Sequence, residues 1–308
     1  MLKTQEKTTA TIRKALGIDI LKPIIIDIEG RPKGLLLNGL RKNIDLTKGI
    51  YFDGSSIKGH TEIYDSDLVA KPDHETIIKE NVNNRIIATV LCHIEKPNGT
   101  PYLNNPRTLL IEYTGELEKK GLKPKVGAEL EYFLIKREEK KLKPYDRDEY
   151  FSVTPYTQTE RFQIELLERL DRIGIIAEKT HHEVAPGQYE LALKASTPLK
   201  LADNITITKM EVKKYAKKIG LTATFMPKPF QNSNGSGLHI HISLQDKDGN
   251  NLFYNKEEDK HSETALHAIG GILKNAKNIS MIVAPTVNSY KRLAPGYEAP
   301  TKICWGYR

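Results

Sequence analysis

The chain has 308 residues, 39% hydrophobic and 28% charged, with a formal net charge of +8. Mean hydropathy is −0.48 and no apolar run is long enough to cross a bilayer as a helix, so no membrane partner is expected. Two cysteines, Cys92 and Cys304, make no disulfide framework and predict a reducing, cytoplasmic setting. The opening segment lacks the apolar core and cleavage site of a signal peptide. The positive excess raises nucleic acid as a partner. The lysines are interspersed with glutamates, however, as in "KREEKKLKPYDRDE". No basic stripe interleaved with aromatics appears, so no nucleic-acid partner is expected. Small anionic substrates suit such a chain better.

Residues 5–16 have the pattern of a short amphipathic helix. "KPIIIDIEGRPKGLLL" predicts two strands joined through Gly30-Arg31-Pro32, and "RIIATVLCHI" a buried strand over 85–94. Between them lies the loop "GIYFDGSSIKGH". Pro, Gly and Asn cluster in "KPNGTPYLNNPR", which places a domain boundary near residue 105. Beyond it, "RTLLIEYTGELEKKG" has helical periodicity and stops at Gly121. "KVGAELEYFLIK" alternates as a strand. "TERFQIELLERLDRIG" is a second helix. "IIAEKTHHEVAPGQYELAL" is a hairpin, and "TPLKLADNITITKMEVKKYAKKIG" a long helix with Pro at its start and Gly at its end. "GLHIHISLQDKDGNNLFY" is an alternating strand with a turn at Asp248-Gly249, and "SETALHAIGGILKNAKN" a last helix. The class is α+β.

Acids and histidines concentrate on the predicted strands. A two-residue loop at Pro186-Gly187 would set Glu183 opposite Glu190, with Cβ atoms about 5 Å apart. Either the hairpin is a solvated edge that tolerates the repulsion, or a cation lies between the carboxylates, for which Mg²⁺ or Mn²⁺ is suited. Glu129 and Glu131 share one strand face about 7 Å apart, on a strand apolar enough to make unpaired acids costly. His239, His241 and Ser243 share another face, beside the glycine loop "NSNGSG". Arg292 and Glu298 flank a Pro-Gly turn, as an ion pair or as an arginine that grips a carboxylate substrate. Asp53 in "FDGSS" is equally a turn cap. Four carboxylates and an imidazole exceed what one divalent ion needs. Two hard ions beside a glycine loop and arginines point to phosphoryl transfer.

Six segments together resemble the glutamine synthetases of the bacterial and archaeal dodecamer-forming class. They are "YFDGSS", "DSDLVAKPD", "GAELEYFL", "HHEVAPGQYE", "ATFMPKPF" with "NGSGLHIHISL", and "PTVNSYKRLAPGYEAP", in the family's order and spacing. The resemblance implies a small N-terminal β-grasp domain, residues 1–105. A larger catalytic domain, 106–308, would follow, built on a curved antiparallel sheet with helices. It implies ATP-dependent ligation of ammonia to the γ-carboxylate of L-glutamate through γ-glutamyl phosphate. A γ-glutamyl ligase for another amine and a non-catalytic homologue are the alternatives. Two or more Mg²⁺ or Mn²⁺ ions would be needed. Glu131, Glu183 and Glu190 match one metal site; Glu129 and His239 match two ligands of the other. Asn234, Gly235 and Arg292 match groups that hold glutamate, and Glu178, His241 and Ser243 match nucleotide contacts. Asp53, Tyr150, Glu183 and Glu298 match the ammonium pocket. There Asp53 would take a proton from ammonium, and Glu298 would lie on a flap that shields the intermediate. Asp53 would serve a neighbouring subunit in a dodecamer of two hexameric rings.

The chain departs from the family pattern in several places. It stops at "CWGYR", where the family continues, so the catalytic domain is expected to be incomplete. The continuation would supply phosphate-binding arginines and a third ligand of the second metal. Asp148-Glu149 stand where the family has two glycines before Tyr150, Gln231-Asn232-Ser233 replace a more apolar run, and Asn105 occupies a usual Asp.

Overall fold

The computed structural model describes residues 17–40, 47, 49–139, 141–153, 155 and 157–307. The amphipathic helix expected over 5–16 lies outside them. The chain divides into two compact units, one up to Glu116 and one from Leu117 onward.

The first unit is a mixed sheet. Its strands are β1 (Ile20–Ile26), β2 (Pro32–Gly34), β3 (Leu37–Asn38), β4 (Ile50–Asp53), β5 (Asp67–Pro72), β6 (Ile78–Val82) and β7 (Arg85–Glu95). β1 and β7 run parallel at its centre, and the remaining pairings are antiparallel. The second of the two strands expected over 22–37 is split into β2 and β3, both paired with β1. Leu21, Val90, Cys92 and Ile94 are fully buried in its core. Helix α1 (Pro106–Lys119) starts from this sheet. Asn105 accepts from the Thr108 N–H at 3.1 Å and donates its amide to the Ile26 carbonyl at 2.7 Å. Thr108 Oγ1 takes the Ile94 N–H at 3.0 Å, and Arg107 binds Asp73 at 2.5 Å. The first turn of α1 thus belongs to the first unit.

The second unit is built on β8 (Lys123–Glu138), the longest strand at 16 residues. β9 (Lys141–Pro144) folds back on its end. Helix α2 (Gln158–Arg172) follows, capped by Thr157, whose hydroxyl accepts the Glu160 N–H. Next come β10 (Ala177–His182), β11 (Gln188–Ser196) and helix α3 (Pro198–Lys218). β12 (Thr222–Thr224) and β13 (Leu238–Gln245) return to the sheet. A small hairpin, β14 (Tyr254–Asn255) with β15 (Lys260–His261), leads to helices α4 (Glu263–Val283) and α5 (Val287–Arg292). β11 and β9 pair with one edge of β8, β13 and β12 with the other, all antiparallel.

Alternation gives β8 two different faces. Leu130, Tyr132 and Leu134, with Tyr189 and Leu191 of β11, are fully buried against Phe162, Leu166 and Val212 of the helices. Phe162, Leu166 and Leu170 recur every fourth residue, which makes one apolar face of α2. Tyr132 stacks on Tyr189 at 5.9 Å and meets Phe162 edge-on at 6.4 Å. Arg169 of α2 pairs with Glu211 of α3 at 2.9 Å inside this layer. The opposite face carries Glu129 and Glu131. Among the described residues, no helix is long and apolar enough to cross a membrane.

Asn105 is completely buried and satisfies groups on both the helix and the sheet. Asn105→Ala should lower the stability of the first unit by about 1–3 kcal/mol, through loss of the cap and orphaning of a buried carbonyl. Urea unfolding measures it, and an unchanged midpoint would remove Asn105 from this role.

Candidate active site

The face of β8 away from the helices gathers charge in two cross-strand rows. In the first row, Glu131 lies opposite Glu190 of β11, and Glu190 lies opposite His181 of β10. In the second, Glu129 lies between Ala192 of β11 and His239 of β13, with Lys179 of β10 beyond Ala192. Like charges directly opposite each other are destabilising, so the surroundings of each acid matter.

Glu131 Oε2 accepts the Gly237 N–H at 2.9 Å and the Gln188 amide at 2.8 Å. Burial pushes its carboxyl above the usual range, and the Glu190 charge adds to this. Burial likewise raises Glu183, with Glu131 and Glu190 contributing repulsion. Glu129 behaves differently. Burial acts to raise it, but hydrogen bonds from His241 and His239 prevail and hold it low. His241 Nε2 is 3.2 Å and His239 Nδ1 3.3 Å from Glu129 Oε2. His239 Nε2 is also 3.6 Å from Glu131. The Lys179 ammonium lies 3.4 Å from Glu129 and 3.9 Å from Glu190.

The hairpin differs from expectation in register. Pro186-Gly187 does form the turn: Gln188 N–H donates to the Ala185 carbonyl at 3.0 Å, and Gly187 has φ +69°. Proline followed by a positive-φ glycine is the type II signature, and type II turns splay hairpin strands. The ladder resumes only at His182 opposite Tyr189. Glu183 therefore pairs with Gln188, through its N–H to the Gln188 carbonyl at 2.8 Å, and His181 takes the place opposite Glu190. The two acids still share a neighbour, because His181 Nδ1 is 3.6 Å from Glu183 and Nε2 3.2 Å from Glu190.

Two glycines admit the arginine. A Cβ built on Gly237 would meet Arg292 Nη2 at 2.8 Å, Glu131 Oε1 at 2.9 Å and His239 Nε2 at 3.1 Å. One built on Gly235 would collide with the Pro227 carbonyl and also meet Arg292 Cγ at 2.9 Å. Arg292 ends α5, whose Thr286 and Ser289 form a capping box. Among the described residues, its buried Nε has no hydrogen-bond partner. Nor does Glu298 pair with Arg292 among them; it accepts the Asn234 amide at 2.6 Å. The 226–237 loop is held to α5 by Lys228 and Asn288, which exchange two hydrogen bonds.

The other expected residues are more dispersed. Glu178 is exposed, at an irregularity of β10. Two intervening strands separate β10 from His241 and Ser243 on β13, a span of roughly 14 Å. The expected contrast of polar and apolar faces on β13 is weak, since Leu238, Ile240 and Ile242 are exposed too. Tyr150 stacks on Phe151 at 4.1 Å, and both rings meet His181 edge-on. Phe151 has φ +59°, a strained conformation for a bulky residue, with its N–H on the His182 carbonyl at 3.1 Å. Asp53 belongs to the first unit and caps a short turn. Its oxygens accept from the Ser55 and Ser56 hydroxyls at 2.6 and 2.7 Å, which hold the carboxyl below its usual range. His181 and Lys179 were not among the expected site residues, although alternation alone places residues 179, 181 and 183 on one face.

Two triads bring their ligand atoms within 4.8 Å of one another: Glu129, Glu190 and His239, and His181, Glu183 and Glu190. Carboxylate-rich sets of this kind suit a hard divalent cation.

Comparison with known proteins identifies the family. The family profile described as "Glutamine synthetase, catalytic domain" matches residues 103–308, and "Glutamine synthetase, beta-Grasp domain" matches 17–97. The glutamine synthetase of Pyrococcus woesei is 44% identical over 292 residues, 94% of this chain and 65% of that protein. The Thermus thermophilus glutamine synthetase is 40% identical, covering 97% of this chain and 70% of its own length. A cryo-EM structure of Plasmodium falciparum glutamine synthetase superposes with a TM-score of 0.85 at 30% identity, over 94% of this chain and 64% of the other. A structure titled as a GmaS/ADP complex gives 0.83 at 30% identity, over 95% and 67%. The chain thus spans a little under two thirds of the Pyrococcus protein's length. With both family profiles matched, in order and over most of its residues, the chain belongs to the glutamine synthetase family.

Proposed function

We propose that the protein is an ATP-dependent ligase that joins ammonia to the γ-carboxylate of L-glutamate through γ-glutamyl phosphate. One observation carries this reading. The buried, directly opposed Glu131 and Glu190 are flanked by His239 and His181, and Arg292, whose Nε is unpartnered, reaches Glu131 and His239 at Gly237.

The residues fit divalent cations. Glu131 and Glu183 are held above the ordinary carboxylate range by burial and by their neighbours' charge, so a cation between them offsets a real cost. Glu131, Glu183 and Glu190 would hold one Mg²⁺ or Mn²⁺, with Glu129 and His239 holding another. Glu190 is in both triads and would border both ions. Such ions neutralise phosphate charge and orient the transferring phosphoryl group. Arg292 would hold the glutamate carboxylate, for which its free Nε supplies a further donor. Asn234 and Gly235 present the loop against which that substrate rests. Because Asn234 is bonded to Glu298, admitting substrate requires that pair to part. Glu178, His241 and Ser243 would contact the nucleotide. Asp53, kept ionised by its serine neighbours, would take the ammonium proton in an adjacent subunit's site. Tyr150, Glu183 and Glu298 would complete that pocket. The assembly would be a dodecamer of two hexameric rings in the cytoplasm, and the domain boundary would lie near residue 105.

The direct test is formation of γ-glutamyl hydroxamate from L-glutamate, hydroxylamine and ATP with Mg²⁺ or Mn²⁺, on this chain and on the protein at its relatives' full length. Product at full length is expected, with ammonia preferred to ethylamine as acceptor. None at full length would reject the ligase.

Two variants probe the site itself. Because Glu131 and Glu183 are raised, the metal-free fold binds more protons than the unfolded chain. The stability they allow at acid pH is therefore lost as pH rises through their elevated values. Glu183→Gln should soften that loss and raise the metal-free Tm at neutral pH, while shrinking the Tm gain on adding Mn²⁺. A lower metal-free Tm would contradict the repulsion. Gly237→Ala should preserve the fold, since only side-chain ends lie in the way. It should displace Arg292, Glu131 and His239, and calorimetry should show weaker Mn²⁺ uptake.

A further inference from the structure

Asp146 follows β9 and is held by the hairpin that bears Glu183 and Glu190. Its Oδ1 accepts the Gly187 N–H at 2.7 Å and lies 2.9 Å from His182 Nε2. Its Oδ2 accepts the Tyr189 hydroxyl at 2.5 Å. The other His182 nitrogen is 2.6 Å from the Glu183 carbonyl. The side chain of Asp146 is 13% exposed and that of His182 3%.

These three contacts bracket the two acids. His182 immediately precedes Glu183, Tyr189 immediately precedes Glu190, and Gly187 is in the turn between. By strand alternation, His182 and Tyr189 point to the face opposite Glu190. The clamp therefore acts from behind the site and touches no reacting group. It also acts where the ladder is weakest, because the splayed turn leaves Val184 to Gly187 outside the regular β10–β11 pairing.

We propose that Asp146 is a positioning residue that fixes where Glu183 and Glu190 present their oxygens to a divalent cation. The inference rests on the metal reading above. Partners hydrogen-bonded directly to metal ligands are typically worth 10–100-fold in metal affinity, an upper bound for Asp146, which holds the residues beside the ligands.

The test is Mn²⁺ uptake by the full chain, followed by calorimetry and by the electron paramagnetic resonance signal of free Mn²⁺, with thermal unfolding in parallel. Asp146→Ala should weaken uptake by about 10-fold, the lower end of that range. Asp146→Asn keeps an acceptor for Gly187 and should recover most of it. Tyr189→Phe removes only the contact to Oδ2, the one beside Glu190, and should weaken uptake less than Asp146→Ala does. Should Asp146→Ala not fold, Asp146→Glu reads the same point, since it keeps the charge but displaces it by one methylene and should also weaken uptake. Equal uptake by Asp146→Ala, or by Asp146→Glu in that case, overturns the proposal. So do affinity losses in Asp146→Ala and Tyr189→Phe that simply follow their losses of Tm. No uptake by the wild-type chain overturns the metal reading, and this inference with it.

Discussion

Glu131 and Glu190 are directly opposed on adjacent strands, and much of the second unit is arranged around that repulsion. Neither acid can turn away, because the other face of the sheet is filled by Tyr132, Tyr189 and Leu191. Relief has to come from the same side. It is supplied by His181 beyond Glu190, by His239 and Arg292 beside Glu131, and by the Gly237 N–H. Lys179 adds a cation between Glu129 and Glu190. His239 and Lys179 are exposed, and Glu131 and Glu183 remain above their ordinary range. The arrangement is thus stable enough to fold yet still favours a stronger positive charge.

The glycine loop and α5 close the site from the edge of the sheet. Gly235 and Gly237 are less hinges than gaps: a methyl group at Gly237 would occupy the space that the Arg292 side chain uses, and one at Gly235 would collide first with the Pro227 carbonyl. The Lys228–Asn288 exchange then ties the loop to the helix that carries the arginine. The groups proposed to bind substrate and metal are therefore coupled through the Lys228 backbone and the Asn288 side chain, and not only through ligands they would share.

Much of this was legible in the sequence, for identifiable reasons. Period-two alternation puts Glu129 and Glu131 on one face, and the helices follow from their apolar spacing and from the glycines at their ends. The Pro-Gly turn was legible too. Its register was not, because the splay of a type II turn shifts the pairing by two residues. Arg292 was recognisable as a residue type, but its approach to Gly237 depends on two segments that meet only in the fold. Asp146 gave no local signal: 36 residues separate it from His182, and it precedes an irregular loop. Phe151, in a left-handed conformation, lies in that loop where the family pattern has glycines just before. There the packing of two rings on His181 prevails over backbone preference.

The three other strands that carry site residues, β10, β11 and β13, are ordered, directly or through β11, by the single strand β8. Insertion or deletion of one residue within its centre would exchange the two faces, sending Glu129 and Glu131 into the aromatic layer and Leu130 and Tyr132 toward solvent. Evolutionary length variation should accordingly be forbidden in β8 and concentrated in the turns, so that new acceptor or regulatory properties arise by remodelling the rim of an unaltered spine.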